Sequence, residues 1–420
     1  LQIFLYFVNL KESHGIWQKG KNMSANSILQ ELYAKGSRSL EILRKSAVTP
    51  HDVKVLKEWG ISDAANMIGR TPQTLRNLEE SGKVKSSRKK QNGKRIERVY
   101  SLKEINEIRE LFKLRPSKPT GAMPVTMGIV NFKGGVGKSF TSLTLSQSLA
   151  LKGYKVLLID GDSQGTSTHQ GGGLIPDLHV KSEQTLLNVL IGESNSLSNC
   201  IIHTHWDGLD IIPANLTLYN AEMIIPNQIY QHRQNTGQIL SFYSRLKDSL
   251  NKVSDDYDVI IIDTPPSLGF ITLNVLYAVN GLMIPLLPSE VDYCSTIQFL
   301  NMAQESLSRL PKLDYNFVRL LISRHKPSSM QAKTMEGAIR QVFGSSVMTN
   351  YMIETEAVSK ASADMKTIYE VEPHPNDKKT FKRAIDHANQ VAEELELLLK
   401  MVWHSPKKNT DAMTQYSEVI

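Results

Sequence analysis

The chain has 420 residues, 40% of them hydrophobic and 22% charged, and a formal net charge of +7. This length and apolar content allow two or three domains around a large core, and the mild basicity suits a nucleic-acid partner without requiring one. Cys200 and Cys294 stand far apart with no C-x-x-C spacing, which excludes a disulfide framework or a cysteine zinc site and points to a reducing, cytosolic compartment.

Both cysteines are expected to be buried as small apolar residues. The opening "LQIFLYFVNL" is apolar but about half as long as a membrane span. Lys11 and Glu12 follow it with no small-residue cleavage site. Residues 1–22 are therefore expected to be an extension upstream of Met23, outside the folded protein. Residues 23–58 read as a helical region. Ile28, Leu29, Leu32 and Tyr33 share one helical face, as do Leu40, Ile42 and Leu43 further on, which makes a packing or dimer-forming surface.

Residues 59–114 carry a helix, a turn and a second helix. In "ISDAANMIGRTPQTLRNLEESGKV", Ser62 is a candidate cap, and Ala64, Ala65 and Ile68 lie on one face. Gly69 turns the chain, Thr71 caps the next helix and Pro72 takes its first position, with Leu75 and Leu78 inward and Gly82 at the end. Lys83, Lys85, Arg88, Lys89, Lys90, Lys94, Arg95 and Arg98 then cluster around the turn Gln91-Asn92-Gly93, opposed only by Glu97. Helix-turn-helix followed by a basic hairpin resembles winged helix-turn-helix domains of the MerR kind. The second helix of such a domain enters the major groove, so Thr71, Gln73, Thr74 and Arg76 become candidate DNA contacts beside the basic residues of the wing. "RPSKPTGAMP" (115–124) has three prolines and no periodicity and reads as a linker.

From Val125 short apolar runs alternate with helical segments. "VTMGIVNF", "KVLLID", "LDIIPA", "DVIIIDTPP", "LMIPLLP" and "FVRLLISR" are the strands. The pattern specifies an α/β domain, a doubly wound and mostly parallel sheet, over 125–402. Its last helix, 380–402, turns Phe381, Ile385, Ala388, Val391, Leu395 and Leu398 inward. Residues 403–420 form a polar, flexible tail.

Between the first strand and first helix of this domain stands "NFKGGVGKSFTS". Gly134, Gly135 and Gly137 keep side chains away from a phosphate, Val136 lies between them, and the helix N-terminus adds partial positive charge. Lys138 is placed for the β- and γ-phosphates and Ser139 for Mg²⁺. Asp160 and Asp162 end one strand and Asp263 ends another, at the carboxyl edge where such sheets bind ligands. A second lysine, Lys133, stands at the start of the loop.

"KGGVGKS", "DGDSQG" and "IIIDTPP" together resemble the ParA family of DNA-partition ATPases, P-loop proteins that share a deviant phosphate loop with MinD. The resemblance spans most of 125–370, including "VSKASADMKTIYE" (358–370), and the N-terminal unit resembles the long, SopA-like plasmid subgroup. The chain departs from the family at Ser163, where proline is usual, and at Phe140, where threonine or serine is usual, which can alter packing behind the loop. The resemblance implies ATP and Mg²⁺ as cofactors, with nucleotide held by residues 133–140. It implies that Lys133 reaches the phosphates of the other subunit of a homodimer, which would offset charge there. Asp162 would act on the attacking water; Asp160 and Asp263 would serve the metal.

The implied function is ATP-dependent plasmid partition with weak intrinsic hydrolysis, in the cytoplasm and on the nucleoid. The ATP dimer would bind nucleoid DNA without sequence preference through Arg340, Lys360 and Lys366, with Lys333, Lys378, Lys379 and Lys382 as further candidates. A ParB-type centromere-binding protein would trigger release, and the N-terminal domain would bind operator DNA and repress its own operon. Alternatives are a nucleotide-tuned repressor with no transport role and a MinD-like positioning ATPase. Glu393, Glu394 and Glu396 on the last helix oppose a membrane partner. His203 and His205 are expected to be surface histidines on one strand face rather than metal ligands.

Overall fold

The computed structural model describes residues 24–46, 54–84, 88–92, 95–235, 241–308, 310 and 313–405. The expected extension 1–22, Lys85, Gly93, Lys94 and the tail beyond Ser405 lie outside them. The chain divides after residue 49 into two compact units. In the first, α1 (Ala25–Ser46) is one continuous helix. Leu29, Leu32, Tyr33 and Ile42 are exposed on it.

The second unit begins with a small helical and stranded lobe. β1 (Trp59–Gly60) runs straight into α2 (Ile61–Ile68), then α3 (Pro72–Glu80). β2 (Arg88–Asn92) and β3 (Arg95–Tyr100) pair as an antiparallel hairpin, β1 adds to β3, and α4 (Leu102–Leu111) closes the lobe. Gly69, at φ +74°, makes the left-handed turn between α2 and α3. Thr71 caps α3 by accepting from the Thr74 N–H. Ser62 is not the cap of α2. The helix starts at Ile61 after Gly60, because Gly60 is already paired with Val99 in the sheet and the chain has no residue to spare between strand and helix.

The main layer follows. β4 (Val125–Ile129) leads to α5 (Lys138–Lys152), and β5 (Val156–Asp160) to the short helices α6 (Thr166–Gly172), α7 (Pro176–His179) and α8 (Leu187–Leu190). β6 (Ile202–His203) and β7 (Leu209–Ile212) form a hairpin, and α9 (Asn220–Asn235) and α10 (Ser241–Asn251) precede β8 (Val259–Asp263). α11 (Phe270–Ala278), β9 (Gly281–Leu286), α12 (Glu290–Leu307), β10 (Phe317–Ile322), α13 (Met330–Phe343), α14 (Glu356–Ala363) and α15 (Lys378–His404) complete the chain. The strands form one seven-stranded sheet in the order β10-β9-β4-β8-β5-β7-β6, in which only the edge pair β6–β7 is antiparallel. β4, β5, β8 and β9 are buried along their whole length, as expected for a sheet covered on both faces.

One core joins the small lobe to the main layer: Leu75, Tyr100, Ile105 and Ile108 belong to the same apolar cluster as Leu149, Tyr154, Phe381 and Leu395. The boundaries expected from composition shift accordingly. Lys54, placed with the N-terminal helices, is buried in the second unit. The proline-rich stretch 115–124 has no regular structure but is pinned. Arg115 donates to the Gly153 carbonyl, and Lys118 donates to Asp258 through its backbone and to the Tyr257 carbonyl through Nζ. Prolines stop a helix there, yet charged side chains fasten the strand-less chain to its neighbours.

Candidate active site

The loop from Lys133 to Ser139 leaves β4 and enters α5, with Gly135 at φ +78° and Gly137 at φ +87°. These left-handed positions favour glycine and let the loop curl. Ser323 Oγ, just after β10, donates to the Val136 carbonyl at 2.6 Å and fixes the curl from outside. Beside the loop lies a cavity of about 950 Å³, lined by Gly134, Gly135, Gly137, Lys138, Ser139, Phe140, Asp162 and Gln164, and on its far side by Arg324, Lys326, Pro327, Met352 and Ile353. Phe140 is half-buried, lines this cavity and packs against the main core.

The two lysines point to different places. Lys138 is buried, and its Nζ donates to the Lys133 carbonyl at 3.1 Å across the loop. Burial lowers its pKa, while Asp263 and Asp162 oppose that drop. Lys133 does not line the cavity. Its Nζ pairs with Asp292 Oδ1 at 2.8 Å, at the start of α12.

Three aspartates converge at the strand ends. Asp160 and Asp263 are register neighbours on β5 and β8, and both are fully buried. Burial raises the pKa of Asp160 first, and the nearby Asp263 raises it further. Asp263 is raised by burial as well, eased by Ser139 and Ser167 and worsened by Asp162. Its Oδ2 accepts from Ser167 Oγ at 2.8 Å, while Oδ1 is buried toward Ser139 with no well-aligned hydrogen bond among the described residues. Asp162 faces the cavity. Its Oδ1 accepts from the Gln164 N–H, and burial raises its pKa ahead of the opposing effects of Gln164 and Lys138.

Asp160 is the most heavily bonded of the three. Its Oδ2 accepts both the Thr168 N–H and Thr168 Oγ1–H at 2.7 Å, and its Oδ1 accepts the Asp162 N–H at 3.2 Å. The chain's own donors thus tie Asp160 to the loop. Among the described residues no three His, Cys, Asp or Glu side chains form a metal cluster. A divalent ion here would need phosphate oxygens as well. Asp263 Oδ1, buried toward Ser139 with no well-aligned donor among the described residues, fits that demand, since a buried carboxylate oxygen is costly unless a cation or donor meets it well.

Other expected residues fall in varied places. On α3 the exposed Gln73 donates to Asn77 and accepts from Arg76. Arg88 pairs with Glu58 and Glu104, and Arg98 with Glu79. Lys83 is exposed; the side chains of Lys89, Lys90 and Arg95 lie outside the described residues. Arg340 is engaged by Glu336 and by the carbonyls of Met348 and Thr349, and Lys360 by Asp377 and Glu356. Arg340 is half-buried, and Lys360 stays exposed beside its partners. Cys200 is buried, but Cys294 is exposed on α12. His205 is mostly covered rather than on the surface: its Nε2 meets Glu370 Oε1 at 2.5 Å, while His203, at the end of the two-residue β6, pairs with Asp210. Two acidic residues of α15 are bolts: Glu396 binds Lys152 and Tyr154 of the α5 end, and Glu394 accepts from Thr349 and Asn350, while Glu393 is exposed. Among the described residues no helix is long and apolar enough to cross a membrane.

Sequence reasoning missed Ser167, Thr168, Asp292 and Glu370. Ser167 and Thr168 stand two and three residues beyond "DGDSQG", and that closeness was the available signal.

Comparison with known proteins gives concordant matches. A family model described as an AAA domain matches residues 125–310. Protein SopA of Escherichia coli is 34% identical over 338 residues, covering 80% of this chain and 86% of its own. A putative replication protein A of Sinorhizobium fredii is 31% identical over 382 residues, covering 87% and 92%. Among solved structures, a partition protein superposes with a TM-score of 0.63 at 20% identity, over 87% of this chain and 98% of its own. An ATP complex of Cyanothece McdA gives 0.54 at 22% identity, over 66% and 98%. The two superpositions speak to the fold.

Proposed function

The chain belongs to the ParA family of plasmid-partition ATPases, and from that premise we propose that it works as an ATP-operated dimer that holds and releases DNA. The protein is an ATPase that serves plasmid partition. In our reading ATP lies in the cavity with its phosphates on the loop glycines and the α5 N-terminus. Lys138 leaves the Lys133 carbonyl for the β- and γ-phosphates. Ser139 and Asp263 would hold Mg²⁺, which when bound neutralises charge on the phosphates. Asp162, facing the cavity with a free Oδ2, orients the attacking water. Asp160 keeps the loop in place.

The observation that carries this reading is the divergence of the two lysines. Lys138 turns toward the cavity and Lys133 turns out of it, toward α12. A loop cation directed away from its own cavity is suited to a second subunit's phosphates, so dimerisation depends on ATP.

The helix-turn-helix lobe with its hairpin supports operator binding and autorepression. Non-specific nucleoid DNA would be held by Lys333, Lys366, Lys378, Lys379 and Lys382, rather than by the internally paired Arg340 and Lys360. A ParB-type partner stimulates hydrolysis and release. The test is sedimentation and DNA binding of the full chain with ATP, ADP and no nucleotide, on operator and random DNA. A dimer and random-DNA binding that both require ATP support the reading; nucleotide-independent binding to operator alone would leave a repressor.

A further inference from the structure

We propose that Ser167 is a positioning residue for Asp263, and that its hydroxyl sets how tightly the site takes Mg²⁺ together with ATP. The proposal rests on the assignment of Asp263 to the metal.

Ser167 is fully buried in α6, and its Oγ donates to Asp263 Oδ2 at 2.8 Å. A carboxylate turns about a broad torsion, so without this bond its plane could rotate and no oxygen would be held in a fixed direction toward the loop. With it, Oδ2 is taken and Oδ1 is left facing Ser139 with no well-aligned hydrogen bond among the described residues. The donor cannot drift. The next residue, Thr168, gives both its N–H and Oγ1–H to Asp160, and its Oγ1 also accepts the Ala214 N–H at 2.8 Å. Further along the same helix, Gln170 Nε2 donates to Ser362 Oγ at 3.1 Å. α6 is thus bolted to two strands and to α14, and presents one hydroxyl to one oxygen. Asp160 and Asp263 are adjacent in register, so the same short helix sets both carboxylates, one as a strut and one as a ligand. Partners that orient a metal-binding carboxylate are worth about ten- to a hundred-fold in metal affinity when removed.

The experiment is calorimetric titration of a non-hydrolysable ATP analogue into the full chain, from EDTA through rising Mg²⁺, for the wild type, Ser167→Ala and Asp263→Asn. Thermal melts of each variant accompany it. The expected result for Ser167→Ala is a rise of about tenfold or more in the Mg²⁺ needed for half-maximal tightening, with unchanged affinity in EDTA. A smaller loss in the same direction than Asp263→Asn shows would agree. A wild-type Mg²⁺ profile in Ser167→Ala beside a shifted one in Asp263→Asn would overturn the role of Ser167. Equal loss of affinity with and without Mg²⁺ would also overturn it, because that marks a packing role. If Asp263→Asn itself leaves the profile unmoved, the metal assignment fails instead.

Discussion

Lys54 and Glu370, 316 residues apart, meet as a buried ion pair with 3.3 Å between Nζ and Oε2. Lys54 also donates to the Gln170 carbonyl at the end of α6, and Glu370 accepts from Trp206 Nε1 and the Thr367 N–H. The pair therefore fastens the segment leading into the helix-turn-helix lobe to the ATPase layer. Glu370→Gln leaves the Lys54 ammonium buried without its counter-charge, which typically costs about 3–5 kcal/mol. A urea unfolding curve should show that loss as a lower midpoint. A variant with an unmoved midpoint would mean the pair does not secure the lobe.

The same carboxylate gives a pH dependence. Its partners His205 and Lys54 hold Glu370 down to about 2 against the cost of its burial. A depressed carboxylate stabilises the fold fully above its unfolded value, near 4.5, and the contribution shrinks as pH falls below that and is gone below about 2. Wild-type stability should therefore fall between about pH 4.5 and 2, and Glu370→Gln should show a flatter acid limb. Parallel limbs in the two proteins would contradict it.

Gly269→Ala tests the loop after Asp263. Glu222 on α9 caps α11 by accepting the Phe270 and Ile271 N–H groups at 2.7 and 3.0 Å. A Cβ at Gly269 would stand 2.4 Å from both oxygens of that carboxylate. The displaced cap leaves two N–H groups unpaired, at about 1–3 kcal/mol, or a melting point lower by several degrees for a unit this size. An unchanged melting point would mean that Glu222 finds an equivalent seat.

Much of this molecule was legible in the sequence, and the reasons differ by element. The phosphate loop, Asp162 and Asp263 announce themselves because strand, glycine turn and helix must follow in fixed order. Thr71, Pro72 and Gly69 announce the second helix through local capping chemistry. The pinned stretch 115–124 could not be read, because its bonds run to Gly153, Asp258 and Tyr257 far along the chain. His205 and Glu370 failed for the same reason: burial and pairing are properties of the tertiary fold. The bonds of Asp160 to Thr168 and Asp162 were not legible either, because an aspartate at a strand end serves equally as ligand or strut.

The two loop lysines should separate in function. Lys138→Ala removes the cation beside the phosphates and should abolish nucleotide binding by the monomer. Lys133→Ala removes a side chain held by Asp292 outside the cavity, so monomer binding should persist while the ATP-dependent dimer is lost. Sedimentation velocity with ATP distinguishes them. A normal dimer in Lys133→Ala would overturn the assignment across subunits.

The most direct test of an ATP-held, hydrolysis-released state is Asp162→Ala, with ATP turnover and residence on random DNA measured on the same preparation. Asp162 faces the cavity, and its Oδ1 is occupied only by the Gln164 N–H. If its carboxylate acts on the attacking water, turnover should fall by about a hundred- to ten-thousand-fold, while ATP binding, dimer and DNA contact survive. The expected result is slow hydrolysis with prolonged residence on DNA that a ParB-type partner no longer shortens. Slow hydrolysis with lost nucleotide affinity and lost DNA binding would contradict it, and would assign Asp162 to holding the nucleotide and its metal.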